Sequence, residues 1–207
     1  MSVPAIDEAA MLSPVQVRSL LERVREDTGG NQAVYPFLFS LGAAALQPGE
    51  AIGLRVADVT LPEEGLGELL VRGERGRKVP VTPKLAGVLR HWISSADLGP
   101  GDRLFPGEQG GPLSSSVYRR VWRQAREAVL RPDELEAGLG EKVSGLREVC
   151  LVDWLRRGVS ACGVAEWAGV SASWLALRYP QCFRVDDVEI DWERLEEMLD
   201  LPDSPQQ

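Results

Sequence analysis

Two rows of arginines are the residues of this chain best suited to chemistry. Arg72, Arg75, Arg77 and Lys78 crowd one short turn, and Arg119, Arg120, Arg123 and Arg126 recur along one later stretch. A guanidinium is planar, permanently charged and shaped to meet two oxygens of a phosphate or carboxylate. Rows of this kind suit a phosphodiester backbone, while charge alone leaves open that both are solvated faces without a partner. Arg147, within Leu146-Arg147-Glu148, is equally open to a structural ion pair and to a phosphate contact. His91 is the single histidine and falls on the polar side of a helical stretch, where it reads as a surface residue. Cys150, Cys162 and Cys182 are odd in number and lack paired spacing. They argue against a disulfide framework or a zinc site and fit buried thiols in a reducing cytoplasm.

The overall charge of −8 hides this distribution. Residues 72–126 hold 11 Lys/Arg against 4 Asp/Glu, whereas residues 185–207 hold 9 acids against one arginine. A basic middle and an acidic tail are separate electrostatic objects. An apolar fraction of 44% over 207 residues can bury a full core. No apolar run reaches membrane-spanning length, and the N-terminus lacks the pattern of a signal peptide.

The elements that must position these residues are mostly helices, with one small antiparallel sheet near residues 55–82, an α+β class. Ser13 to Glu26 reads as a helix with Ser13 as N-cap, Pro14 at its first position and Val17, Leu20, Leu21 and Val24 facing a core. Pro36–Leu46, Glu50–Val56, Pro83–Ile93 and Ser114–Leu130 are further helices, the last basic on one side. Leu69-Leu70-Val71 and Lys78-Val79-Pro80-Val81 form a hairpin. Asp102–Pro112 is a loop and Arg131–Lys142 a polar connection. Leu146–Arg157, Gly163–Ala168 and Ser173–Tyr179 are helices, and Asp191 caps a last amphipathic one carrying Trp192, Leu195, Met198 and Leu199.

Several motifs, in order, resemble the catalytic domain of tyrosine recombinases, the phage integrase family. Leu146-Arg147 matches the core of the family's H-x-L-R-H segment. Val164-Ala165-Glu166-Trp167-Ala168-Gly169 matches its A-G-H turn, with Tyr179 ten residues after Gly169. Leu46-Gln47-Pro48-Gly49-Glu50-Ala51-Ile52-Gly53-Leu54 is similar to the G-L-R-x-S-E-L box, and Val56-Ala57-Asp58-Val59 to the W-x-D-I/V step that follows it. Arg72 to Pro80 is similar to the K-x-x-K-x-R-x-V-P turn, and Leu104-Phe105 to the L-F before the next helix. Gly53-Leu54-Arg55 also spells G-L-R, but only 17 residues separate Arg55 from Arg72, against 25 from Gln47. Gln47 is therefore read as the replacement of the first arginine. The resemblance covers about residues 12–184, after an extension of residues 1–11 and before an acidic helix and tail at 185–207. The family's helical clamp domain is absent from this layout.

In the family a tyrosine oxygen attacks a backbone phosphodiester, leaving a 3′-phosphotyrosyl link and a free 5′-hydroxyl. Two arginines and a histidine-type donor hold the negative charge that develops, a lysine protonates the leaving oxygen, and a histidine assists the nucleophile. The resemblance places Tyr179 as nucleophile and Arg147 as second arginine. The lysine position falls on Arg72, whose pKa above about 12 makes it a poor proton donor. Gln47 supplies no charge, and Ser144 and Val170 stand where histidines belong. Each lost charge-stabilising group typically lowers rate by ~10²–10³, though losses within one constellation do not multiply.

The expectation is a duplex-DNA-binding protein of recombinase fold, impaired in strand cleavage and acting as an accessory or regulatory factor in recombination or integration. Arg72, Arg75, Arg77, Lys78, Arg119, Arg120 and Arg123 are its candidate DNA contacts. No metal, cofactor or membrane is implied, and a second protomer or a partner recombinase would dock through the C-terminal helix. Three other readings stay open. The chain could be an active, divergent recombinase using Tyr179, or an interaction module that no longer touches DNA. A helix-turn-helix regulator is the third, since Val164 to Ser171 mimics that motif's turn; the helix after it, Ser173-Trp174-Leu175-Ala176-Leu177-Arg178, is apolar for a base-reading element.

Overall fold

The computed structural model describes residues 4–26, 32–73 and 76–183. The amphipathic helix expected from Asp191 lies outside the described residues, as does Arg75.

Nine helices and a three-stranded sheet make up the described chain, in the expected α+β class. Helix α1 is Pro14–Glu26. Its first turn closes reciprocally, with Ser13 Oγ accepting from the Gln16 amide at 3.2 Å and Gln16 Oε1 accepting from the Ser13 amide at 2.8 Å. Helix α2, Val34–Ala43, is central. It has no polar face, because α1, α4, α5 and α7 all pack on it, and Phe37, Leu38 and Leu41 are fully buried. Helix α3 is Pro48–Gly53. A 3₁₀ turn at Val56–Asp58 then leads into the sheet.

Strands β1 (Val59–Thr60), β2 (Gly67–Val71) and β3 (Arg77–Val81) pair antiparallel in the order β1-β2-β3. In β2 and β3 the register sets Leu69 opposite Val79 and Val71 opposite Arg77. Successive side chains alternate between faces, so Arg77 shares the inward face with the buried Val79 and Val81.

Helices α4 (Pro83–Ser95) and α5 (Ser115–Val129) follow. The stretch expected to be a plain connection contains a short helix, α6, Pro132–Glu136. Its cause is local: Pro132 starts the first turn, and the Arg131 amide donates to the Glu134 carboxylate at 2.8 Å. Helices α7 (Gly145–Arg156), α8 (Ala161–Ala168) and α9 (Ala172–Arg178) finish the fold. Tyr179, Leu175, Val164, Leu151 and Cys150 build a small second core beneath them, separate from the main one around α2. No helix among the described residues is long and apolar enough to cross a membrane.

Candidate functional site

Glu50 is the hub of the site. It stands in the first turn of α3, where its carboxylate accepts from the Gln47 amide at 2.8 Å and so fixes Gln47 as the residue that opens the helix. From β3, Arg77 clamps the same carboxylate with two nitrogens, at 2.7 and 2.9 Å. Arg147, near the start of α7, lies 3.9 Å from it. Both arginines also hold the C-terminal carbonyls of α8: Arg77 Nε donates to Trp167 O at 2.7 Å and Arg147 Nη2 to Ala168 O at 2.6 Å. Cations suit this end of a helix, where unpaired carbonyls concentrate negative charge. Arg147 Nη1 donates in addition to Ala45 O. Burial would raise the Glu50 pKa, but the Arg77 hydrogen bonds, the Gln47 amide and the Arg77 and Arg147 charges outweigh it and hold the carboxyl below its ordinary value. Burial and the nearby Arg77 pull Arg147 down, with Glu50 opposing.

Gly169 makes this crossing possible. It caps α8 at φ +68°, and a Cβ there would lie 3.1 Å from Arg77 Nη1. A side chain would meet both a disfavoured backbone conformation and the guanidinium that passes over it.

Tyr179 follows α9 and is fully buried. Its hydroxyl makes no hydrogen bond, an arrangement that costs about 1–3 kcal/mol. Burial pushes its pKa up to about 12, with Glu148 reinforcing the shift and Arg178 and Arg147 opposing it. Arg178 approaches without a well-formed bond to the hydroxyl, while Nη2 donates to Glu148 at 2.8 Å and Nη1 to Pro4 O at 2.8 Å. Trp174 meets the tyrosine ring edge-on at 6.0 Å, and Val170 packs on the same cluster as an apolar wall.

A second feature is open. The outer face of α5 and the turn before α7 line a hollow of about 550 Å³ that reaches Pro48, Glu141, Lys142 and Ser144. Arg119, Arg120 and Arg123 line it and are exposed. Among the described residues Arg123 has a loose pair with Glu127 at 3.8 Å. Arg126, expected on the same basic side, turns inward instead. It is 8% exposed and donates to Leu139 O at 2.9 Å, because its place along α5 falls on the buried side with Trp122 and Ala125.

The hairpin cations divide in the same way. Arg77 was expected to face DNA, yet its side chain is 8% exposed and committed to Glu50. Arg72 stands on the surface and donates to the buried Asp58 at 2.6 Å. Lys78 points outward and pairs with Glu68 at 2.9 Å.

Of the expected catalytic positions, the structure thus brings Arg147 and Tyr179 into one buried neighbourhood. Ser144 lies at the rim of the hollow, with Gln47 one residue from the rim at Pro48, and Arg72 sits just past the end of the central strand β2. Sequence reasoning gave no site role to Glu148, Arg178 or Asp58, although Glu148 and Arg178 each adjoin a residue that had one. Chemically, the buried group can hold α3, β3, α7 and α8 together, and the hollow can receive an anion.

No model of a known protein family matches the chain. It is 32% identical over 135 residues to the tyrosine recombinase XerC of Methylobacterium sp. (strain 4-46), spanning 63% of this chain and 40% of that protein. It is 28% identical over 162 residues to a tyrosine recombinase of Pseudothermotoga lettingae, spanning 77% and 52%. The chain therefore spans about half, or less, of these relatives. Among solved structures, the XerH site-specific recombinase bound to its palindromic difH substrate superposes with a TM-score of 0.65 at 19% identity, over 97% of this chain and 54% of that one. The catalytic domain of bacteriophage HP1 integrase gives 0.59 at 16% identity, over 90% and 93%. In its ordered motifs the chain is similar to tyrosine recombinases, and its fold is that of the catalytic domains of recombinases and phage integrases.

Proposed function

We propose that this chain binds duplex DNA in the service of recombination or integration, and that it does not cleave strands by itself but acts as an accessory or regulatory factor. DNA would lie along Arg119, Arg120 and Arg123, with Arg72 and Lys78 on the hairpin extending the contact. XerH is seen on its difH substrate and the Tn1549 transposon integrase on circular intermediate DNA, which supports the same class of partner here. Cys150, Cys162 and Cys182 form no disulfide among the described residues, in keeping with work in a reducing cytoplasm, although only Cys150 is buried as expected: Cys162 is exposed and Cys182 half-buried.

One observation carries the non-cleaving half. Arg147, the remaining cation of the phosphate-holding set, is engaged by Ala45 O, Ala168 O and Glu50. Beside it Tyr179 is buried, with its proton held to about pH 12. Gln47 adds no charge and Val170 no proton-transfer group, so neither the oxyanion nor the attacking hydroxyl is served.

A suicide duplex nicked opposite the scissile phosphate tests this directly. No covalent protein–DNA species should accumulate; an adduct that vanishes in Tyr179→Phe would establish an active, divergent recombinase instead. Fluorescence anisotropy with labelled duplex tests the binding half, for which affinity should fall steeply as salt rises. Salt-insensitive binding, or none, would favour the interaction-module reading. The accessory role also assigns contact with a second protomer or a partner recombinase to residues 185–207. A chain ending at Arg184 should lose that association in sedimentation.

A further inference from the structure

We infer that residues 4–11 form a strap that seals the Tyr179 pocket, and that release of this strap controls access to the tyrosine. The strap reaches the residue just before Tyr179 through two reciprocal bonds. The Ile6 amide donates to Arg178 O at 2.9 Å, and Arg178 Nη1 donates back to Pro4 O at 2.8 Å. A 3₁₀ turn at Glu8–Ala10, closed by the Ala10 amide donating to Asp7 O at 3.0 Å and capped by the Ala9 amide donating to Asp7 Oδ1 at 3.0 Å, bends the segment. The bend turns both Ile6 and Met11 toward the cluster that contains Tyr179 and Leu175.

The strap is held lightly. Pro4, Ala5, Asp7, Ala9 and Ala10 are exposed, and Ile6 and Met11 are only half-buried. The next residue behaves differently: Leu12 is 4% exposed in the main core, pressed against Gly140, where an added Cβ would lie 2.8 Å from its Cδ1. Leu12 therefore marks the fixed end of a segment that can lift without disturbing α1. Segments with little buried apolar surface open at far lower free energy than the whole fold. The closed state also carries the unpartnered Tyr179 hydroxyl, a polar group that gains hydrogen bonds once water or another donor reaches it. Arg178 couples the strap to α7 as well, since its other nitrogen is engaged by Glu148. A ligand that draws this guanidinium away would loosen both attachments.

Tetranitromethane nitration of the full chain, mapped by peptide mass spectrometry, reads access to each tyrosine, with Tyr118 in the main core as internal reference. Ile6→Pro removes the donor to Arg178 O, and the milder Ile6→Ala removes only apolar packing. Both should speed nitration of Tyr179 by roughly tenfold or more, as a local opening equilibrium shifts, and leave Tyr118 unchanged. The inference is overturned if Tyr179 stays as slow as in the unaltered chain, or if Tyr118 accelerates alongside it, since the segment would then be an ordinary part of the fold. Nitration reports access rather than strand chemistry, so its outcome is independent of the adduct assay.

Discussion

The arginines of the Glu50 hub and those on the outer face of α5 are chemically identical and physically opposite. The side chains of Arg77 and Arg147 are buried, paired with a carboxylate and bonded to backbone carbonyls. Arg119 and Arg120 are exposed and drawn into no ion pair among the described residues. A guanidinium that satisfies carbonyls and a carboxylate stabilises architecture, because removing it orphans several buried groups at once. One left in water contributes little to stability and keeps its full capacity to meet phosphate. Positive charge has thus been divided between holding the fold and meeting a ligand.

The sharpest way to break this contrast is Arg147→Ala. It leaves the Ala45 and Ala168 carbonyls without their donor and should cost about 3–5 kcal/mol in urea unfolding; a loss below about 1 kcal/mol would show the hub to be a weak surface pair. Alkaline titration comes next and probes the second core. Burial pushes the Cys150 thiol from 9.0 up to about 12 and Tyr179 from 10.0 up to about 12. The folded state holds these protons more tightly, so their contribution is complete below about pH 9 and is lost as pH rises toward about 12. Unfolding midpoints should fall across that window, and Tyr179→Phe should flatten the upper part. Gly169→Ala, which obstructs Arg77 and forces a methyl into the left-handed region, should cost about 1–3 kcal/mol. Smallest in stability is the combined change of Arg119, Arg120 and Arg123 to serine, at most about 0.5 kcal/mol for each. That variant should nonetheless weaken duplex binding and reduce its salt slope by ~0.9 for each phosphate no longer neutralised. Arg77→Ala should show the reverse, destabilised with its salt slope intact.

The elements that carry these arginines were largely legible in the residues, but their division was not, since Arg77 was read as a DNA contact and Arg126 as part of the basic side. The Ser13-Pro14 start of α1, the hairpin and the extent of α5 follow from capping, alternation and helical spacing. So does the inward turn of Arg77, once the alternation in β3 is applied to it: residues 77, 79 and 81 share one face, and two of them are valines. The burial of Arg147 leaves no such trace. Its partners are the backbone carbonyls of Ala45 and Ala168, and any residue type can present a carbonyl, so nothing in composition announces the bond. The short α6 was hidden for another reason. Its polar sequence lacks an apolar stripe, and only Pro132 and the Glu134 cap mark it.

Ala45 lies at φ +47°, a conformation that L-residues other than asparagine and aspartate seldom adopt. It is held there between the end of α2 and Gln47, with its carbonyl turned down to Arg147. A backbone held in this region carries strain of about 1–3 kcal/mol. Withdrawing the guanidinium removes the donor that holds this carbonyl two residues before Gln47, so Arg147→Ala should raise amide hydrogen exchange at the start of α3, beside Pro48 at the lip of the basic hollow. A change made deep in the protein would then be felt on the surface proposed to face DNA.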